Sequence, residues 1–171
     1  DLFDKVIERG KDINEDIFWR TKHQKMLLYS QIGKGQESIN STLKIINEGS
    51  KDPEDWICLI AAYRYSEEEE KAYEWFLKAV SKFPNKAALY IYGGDTCKKL
   101  GRYDEALSYW NRALEIDNTF HAAKYSKIFY YEEIGEYETA YKIWCEIIEE
   151  LKRNGYEDRK STRLNSKEMD M

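Results

Sequence analysis

A repeat of 34 residues constrains this chain more than any other feature. Ala72, Ala106 and Ala140 stand 34 apart, and four positions after each comes an aromatic: Phe76, Trp110 and Trp144. Tyr103 and Tyr137 keep the same spacing. So do Gly101 and Gly135, with Gly33 two periods before Gly101. Tyr29, Tyr63 and Tyr131 share a further column whose remaining slot is Cys97, and Pro84, Asn118 and Lys152 close successive units. Agreement in so many columns means that one supersecondary unit is stacked several times, each copy burying the face its neighbour presents.

Each unit reads as two amphipathic helices. In the third, Lys86 to Leu100 is the first helix and Tyr103 to Ile116 the second, with Gly101 and Arg102 turning between them. Gly101 falls just past the first helix, where a left-handed backbone costs glycine little. Asp104 and Glu105 open the next helix, where its dipole favours negative charge. In the second unit "SEEE" replaces the glycine turn, and Ser66 with Glu69 is expected to form a capping box. Asp52 is expected to cap a helix whose first residue is Pro53. With only two prolines among 171 residues, little interrupts such helices.

The segment "LGRYDEALSYWNRALEID" resembles the second half of a tetratricopeptide repeat, through Gly101, Tyr103, Ala106, Trp110, Ala113 and Leu114. The preceding unit is similar, contributing Trp56, Leu59, Tyr63, Ala72, Phe76, Ala79 and Pro84. The resemblance implies an all-α fold: an α-solenoid of about four antiparallel helix pairs with period 34, wound into a right-handed superhelix. In this register the repeats are 19–52, 53–86, 87–120 and 121–154. A helical segment, 1–18, precedes them, with Leu2, Phe3, Val6 and Ile7 on one side of its start. A polar tail, 155–171, follows. Its run "RKSTRLNS" resembles a translated sequencing-adapter scar, so Arg159 onward is given no functional weight. The start at Asp1, without Met or a signal-like apolar segment, is read as an excised or processed piece.

Some residues depart from the repeat pattern. Lys22 and Lys25 in the first unit, and Lys124 and Lys127 in the fourth, stand where large apolar residues are expected. Ser38 and Thr42 replace an alanine and an aromatic. These helices are expected to shift slightly or to face solvent more than usual.

The stretch "IYGGDTCKKLG", Ile91 to Gly101, looks at first like chemistry. Its glycine pair falls inside a helix, however, and a phosphate loop needs its glycines after a strand, in a GxxxxGK[ST] pattern that is absent. Gly94 is expected to be a packing notch facing Ala106 and Ala113, offsetting a helix cost of roughly 1 kcal/mol per glycine. No GxSxG, HExxH, Cys–His or Ser–His arrangement is present, so no catalytic residue is assigned and the chain is read as non-enzymatic. Cys58, Cys97 and Cys145 lie in separate apolar segments, and His23 and His121 have no partner spacing, so neither a metal nor a cofactor is expected. Core thiols suit a reducing, cytoplasmic setting. A net charge of −5 argues against nucleic acid, and no apolar run reaches the length of a membrane span.

The resemblance also implies where a partner binds, namely on the concave wall formed by the first helices. Its lining would be Leu27, Ile57, Ala61, Tyr65, Ile91, Tyr92, Tyr125 and Phe129, with Asp95 on the same face and a rim that is positive at Arg64, Lys98 and Lys99 and negative at Glu132 and Glu133. Tyrosines over an apolar floor suit a protein or peptide partner, because aromatic anchors dominate interface energies. Part of this stripe could equally pack against the chain's own segments. Relatives that grip a chaperone tail's carboxylate use Lys, Asn and Arg. The corresponding slots here hold His23, Leu27, Cys58, Ala88 and Tyr92, or one unit later Ile57, Ala61, Tyr92, Ala122 and Ser126, so such a clamp is not expected. The function expected is a non-catalytic protein-interaction module. The alternatives are a scaffold that self-associates through the poorly capped fourth repeat, or the sensory half of a larger regulator.

Overall fold

The computed structural model describes residues 24–25, 28–29 and 32–154. The segment 1–18, the expected lining residue Leu27 and the tail 155–171 lie outside the described residues. Among those described there is no strand. Gln24, Lys25, Leu28 and Tyr29 are helical, and seven helices follow: α1 (Gly35–Asn47), α2 (Pro53–Tyr65), α3 (Glu69–Lys82), α4 (Ala87–Lys99), α5 (Tyr103–Ile116), α6 (His121–Glu133) and α7 (Tyr137–Arg153). The chain divides into two compact units, 1–123 and 124–171, with the boundary inside α6.

In the first unit α2 packs against α1, α3 and α4, and α4 also meets α3 and α5. The sequences of these helices explain the arrangement. α2, "PEDWICLIAAYRY", is apolar nearly all round and is buried continuously from Asp55 to Tyr63. A helix of that kind needs neighbours on several sides. α3 and α5 are amphipathic and bury single stripes, Ala72–Phe76–Ala79 and Ala106–Trp110–Ala113. In the second unit Ile128 packs with Ala140 and Ile147, and Tyr131, Ile143 and Leu151 flank them.

The helix ends follow the local rules, with one correction. Asp52 accepts a 2.9 Å bond from the Glu54 amide, and Pro53 takes the first helical position. Four inter-helix turns close with the same backbone bond, from the amides of Lys34, Glu68, Arg102 and Glu136 back to the carbonyls of Tyr29, Tyr63, Cys97 and Tyr131. This is the long bond of a Schellman ending, which needs a left-handed residue before the donor. Gly33, Gly101 and Gly135 supply it, at φ of 79°, 73° and 81°. In the turn after α2 Glu67 supplies it instead, at φ 58°. The expected capping box at Ser66 and Glu69 is therefore not made: Ser66 ends α2, and no side chain caps α3.

Lys22 lies outside the described residues, but Ser38, Thr42, Lys124 and Lys127 differ from expectation because they are wholly or partly tucked in. Ser38 and Thr42 are buried, and the Thr42 hydroxyl donates to the Ser38 carbonyl at 2.8 Å. A hydroxyl bonded one turn back within its own helix leaves no unmet polar group. Lys124 reaches Glu150 at 2.5 Å with both side chains largely covered. Lys127 is partly buried, and its desolvation pulls the ammonium pKa down against the attraction of Glu146.

Candidate functional site

The glycine pair organises the surface that adjoins it. Had Gly94 a Cβ, that atom would sit 2.5 Å from Trp110 Nε1 and 3.1 Å from the Ala106 carbonyl oxygen. At Gly93 it would lie 2.4 Å from the Phe76 ring. Either contact is far inside van der Waals separation, so both positions require the smallest side chain. Gly94 thus admits the Trp110 indole of its own repeat, and Gly93 admits Phe76 of the repeat before. The expected notch exists, and it holds aromatic rings rather than only small residues.

With the indole against α4, its Nε1–H donates to Asp95 Oδ1 at 3.0 Å. The other oxygen, Oδ2, lies 3.7 Å from an Arg64 guanidinium nitrogen on α2. That guanidinium sits over the Tyr92 ring, 5.6 Å from its centroid. Burial raises the Tyr92 hydroxyl pKa, and the positive charge of Arg64 opposes that rise. The result is a chain of contacts, Trp110–Asp95–Arg64–Tyr92, running from the interior of one repeat to the first helix of the preceding one. No sequence motif announces it. The only signal was the coincidence of an acid beside a glycine pair and a tryptophan in the paired helix.

The expected site residues fall into distinct groups. Ile57, Ala61 and Ile91 are buried, so they support the α2–α4 face from below rather than lining an open groove. The physical reason is the all-round apolar character of α2, which is packed by α1, α3 and α4. Arg64, Tyr92, Asp95 and Lys98 are half-buried, and Lys99 is exposed. Tyr65 is 52 % exposed, the most open aromatic of this face. Tyr125 and Phe129 belong to the second unit, where the Tyr125 ring packs 5.6 Å from Trp144 and Phe129 is exposed.

The chemistry at other candidate positions is quiet. Cys58 and Cys97 are buried thiols outside any disulfide, and burial pushes the Cys97 pKa up to about 11. A protonated interior thiol is a poor nucleophile. Among the described residues no group of three or more His, Cys, Asp and Glu side chains is placed to hold a metal ion. No described helix is long and apolar enough to cross a membrane. A shallow cavity of about 390 Å³ at the α1–α2 turn is lined by Glu48, Ser50, Asp52 and Asp55 among others, and the buried Asp55 already accepts the Ser50 hydroxyl at 2.5 Å.

Comparison with solved structures finds the same architecture. A crystal structure of MamA superposes with a TM-score of 0.66 at 23 % identity, covering 90 % of this chain and 92 % of that one. A second MamA crystal structure gives 0.65 at 20 % identity, with coverages of 92 % and 94 %. MamA 41-end from Desulfovibrio magneticus RS-1 gives 0.66 at 13 % identity, with coverages of 91 % and 96 %. No curated protein matches by sequence. Residues 87–120, which comprise α4 and α5, match the tetratricopeptide repeat family. Residues 87–120 thus match a tetratricopeptide repeat, and the described helices have an all-α fold similar to that of the MamA structures.

Proposed function

We propose that the chain is a non-catalytic protein-interaction module that binds a partner segment on the first-helix face of α2 and α4. One observation carries this reading. Tyr65 and Lys99 stand exposed on two adjoining helices, while Tyr92, Arg64 and Asp95 are half-buried and hold one another in place. A rigid floor with an open tyrosine and an open cation favours binding, because few side chains must be ordered when a partner arrives. Tyrosine adds large contact area and a polar tip at small entropic cost. The partner is an extended or helical peptide with an apolar anchor for Tyr65 and an acidic residue near Lys99. Residues 19–52, 53–86, 87–120 and 121–154 are the four repeats of this reading.

Peptides selected from a displayed random library by the intact chain provide the test. Tyr65→Ala and Lys99→Glu should each weaken a selected peptide by about tenfold, the scale of an interface anchor, while the melting temperature stays unchanged. Selected peptides that bind both variants as well as the parent would overturn the reading. Assembly through the fourth repeat is a second reading, favoured by the exposed apolar residues of α7.

A further inference from the structure

The outer face of α7 is built like a surface that the first unit buries. On α3, the Arg102 guanidinium donates to both oxygens of Glu70 at 3.1 Å, and the Tyr73 hydroxyl donates to Glu105 at 2.7 Å. The Phe76 ring is fully buried, lying against Gly93 and 4.7 Å from the Tyr109 ring. Two repeats on, the same columns hold Glu138, Tyr141 and Trp144. There Tyr141 is 68 % exposed and Trp144 36 %. With Tyr137 and Ile148 they form a stripe at positions i, i+4, i+7 and i+11, an apolar face spanning three helical turns.

The geometry points to a second copy of this chain as the occupant, with α7 packed antiparallel on α7 about a two-fold axis near Cys145. This rests on the assembly reading and is independent of the α2–α4 face. The stripe complements itself in that arrangement: Tyr141 of one copy lies against Ile148 of the other. Charge is matched as well. Glu138 flanks the stripe at one end and Lys152 continues it at the other, so antiparallel pairing brings each acid to the other copy's ammonium. The intrahelical Glu138–Lys142 pair, at 3.0 Å between exposed groups, is too weak to hold the acid back. An isologous interface of this kind closes as a dimer and does not propagate.

Cys145 is partly exposed, whereas Cys58 and Cys97 are buried, so a thiol-specific probe reads the axis directly. Sedimentation of the full chain from micromolar to millimolar concentration should show a monomer–dimer equilibrium. A short bis-maleimide should then link Cys145 to Cys145. Glu138→Lys should weaken association about tenfold, and adding Lys152→Glu should restore it. A strict monomer at every concentration would overturn both the assembly reading and this arrangement. Association that grows open-endedly, or that persists in Glu138→Lys without the Cys145 link, would overturn the antiparallel arrangement and leave assembly standing.

Discussion

Trp110 and Trp144 occupy the same column one period apart, yet one is fully buried and the other 36 % exposed. The helix facing each explains the difference. Opposite Trp110 stand Gly94, which leaves room for the indole, and Asp95, which accepts its proton. In the fourth repeat those two columns hold Ile128 and Phe129. Ile128 is buried against Ala140 and Ile147, filling the space an indole would need. Phe129 offers no acceptor. Trp144 accordingly sits outward beside Tyr125. Two substitutions in the facing helix turn a core tryptophan into a surface one.

The strongest way to break this contrast is to place the fourth repeat's residue in the third. Gly94→Ile puts branched carbon where even a Cβ lies 2.5 Å from the indole nitrogen. Overpacking of that severity is expected to cost about 3 kcal/mol, measured by urea denaturation. The emission of Trp110 should also shift to the red as the ring moves into water. A variant as stable as the parent would show that the notch does not set the indole's place.

Much of this architecture is legible in the sequence because period and helix ends are local properties. The alanine–aromatic column, Pro53 after Asp52 and the glycines after the first helices each act through a few neighbouring residues. The closure of Ile57 and Ala61 was legible too, in the unbroken apolar run of α2, but the repeat geometry pointed the other way. Three further features depend on contacts between distant residues: the indole bond to Asp95, the Arg64 bridge, and the pairing of Lys124 with Glu150. A column of residue types cannot show whether a tryptophan is buried or exposed, because that depends on the volume left by the facing helix.

A gentler perturbation separates space from hydrogen bonding. Asp95→Ala keeps the Gly94 notch but removes the carboxylate oxygen to which Trp110 Nε1–H donates, and with it the Arg64 bridge. The expected loss is about 1–2 kcal/mol, typical of a buried donor deprived of a charged partner. Asp95→Asn retains an acceptor oxygen and should lose less than half as much. Equal losses for the two variants, in thermal or urea melts, would assign the effect to the charge shared with Arg64 instead of to the indole.

The smallest expected effect compares the turn of the second repeat with the other three. Gly33, Gly101 and Gly135 take a left-handed φ with no side-chain atom near the place a Cβ would occupy, so conformation alone selects glycine there. Glu67 takes the same conformation with a side chain attached, which costs an L-residue roughly 1–2 kcal/mol. Glu67→Gly removes that strain but adds backbone freedom to the unfolded chain, offsetting about 0.5–1 kcal/mol. The net expectation is a stabilisation of about 0.5–1 kcal/mol, seen as a small rise in melting temperature. Gly101→Ala, which imposes the strain where it is now absent, should lower the melting temperature. If both changes moved it the same way, the turn would be governed by contacts of the Glu67 side chain and not by the backbone conformation that the four turns share.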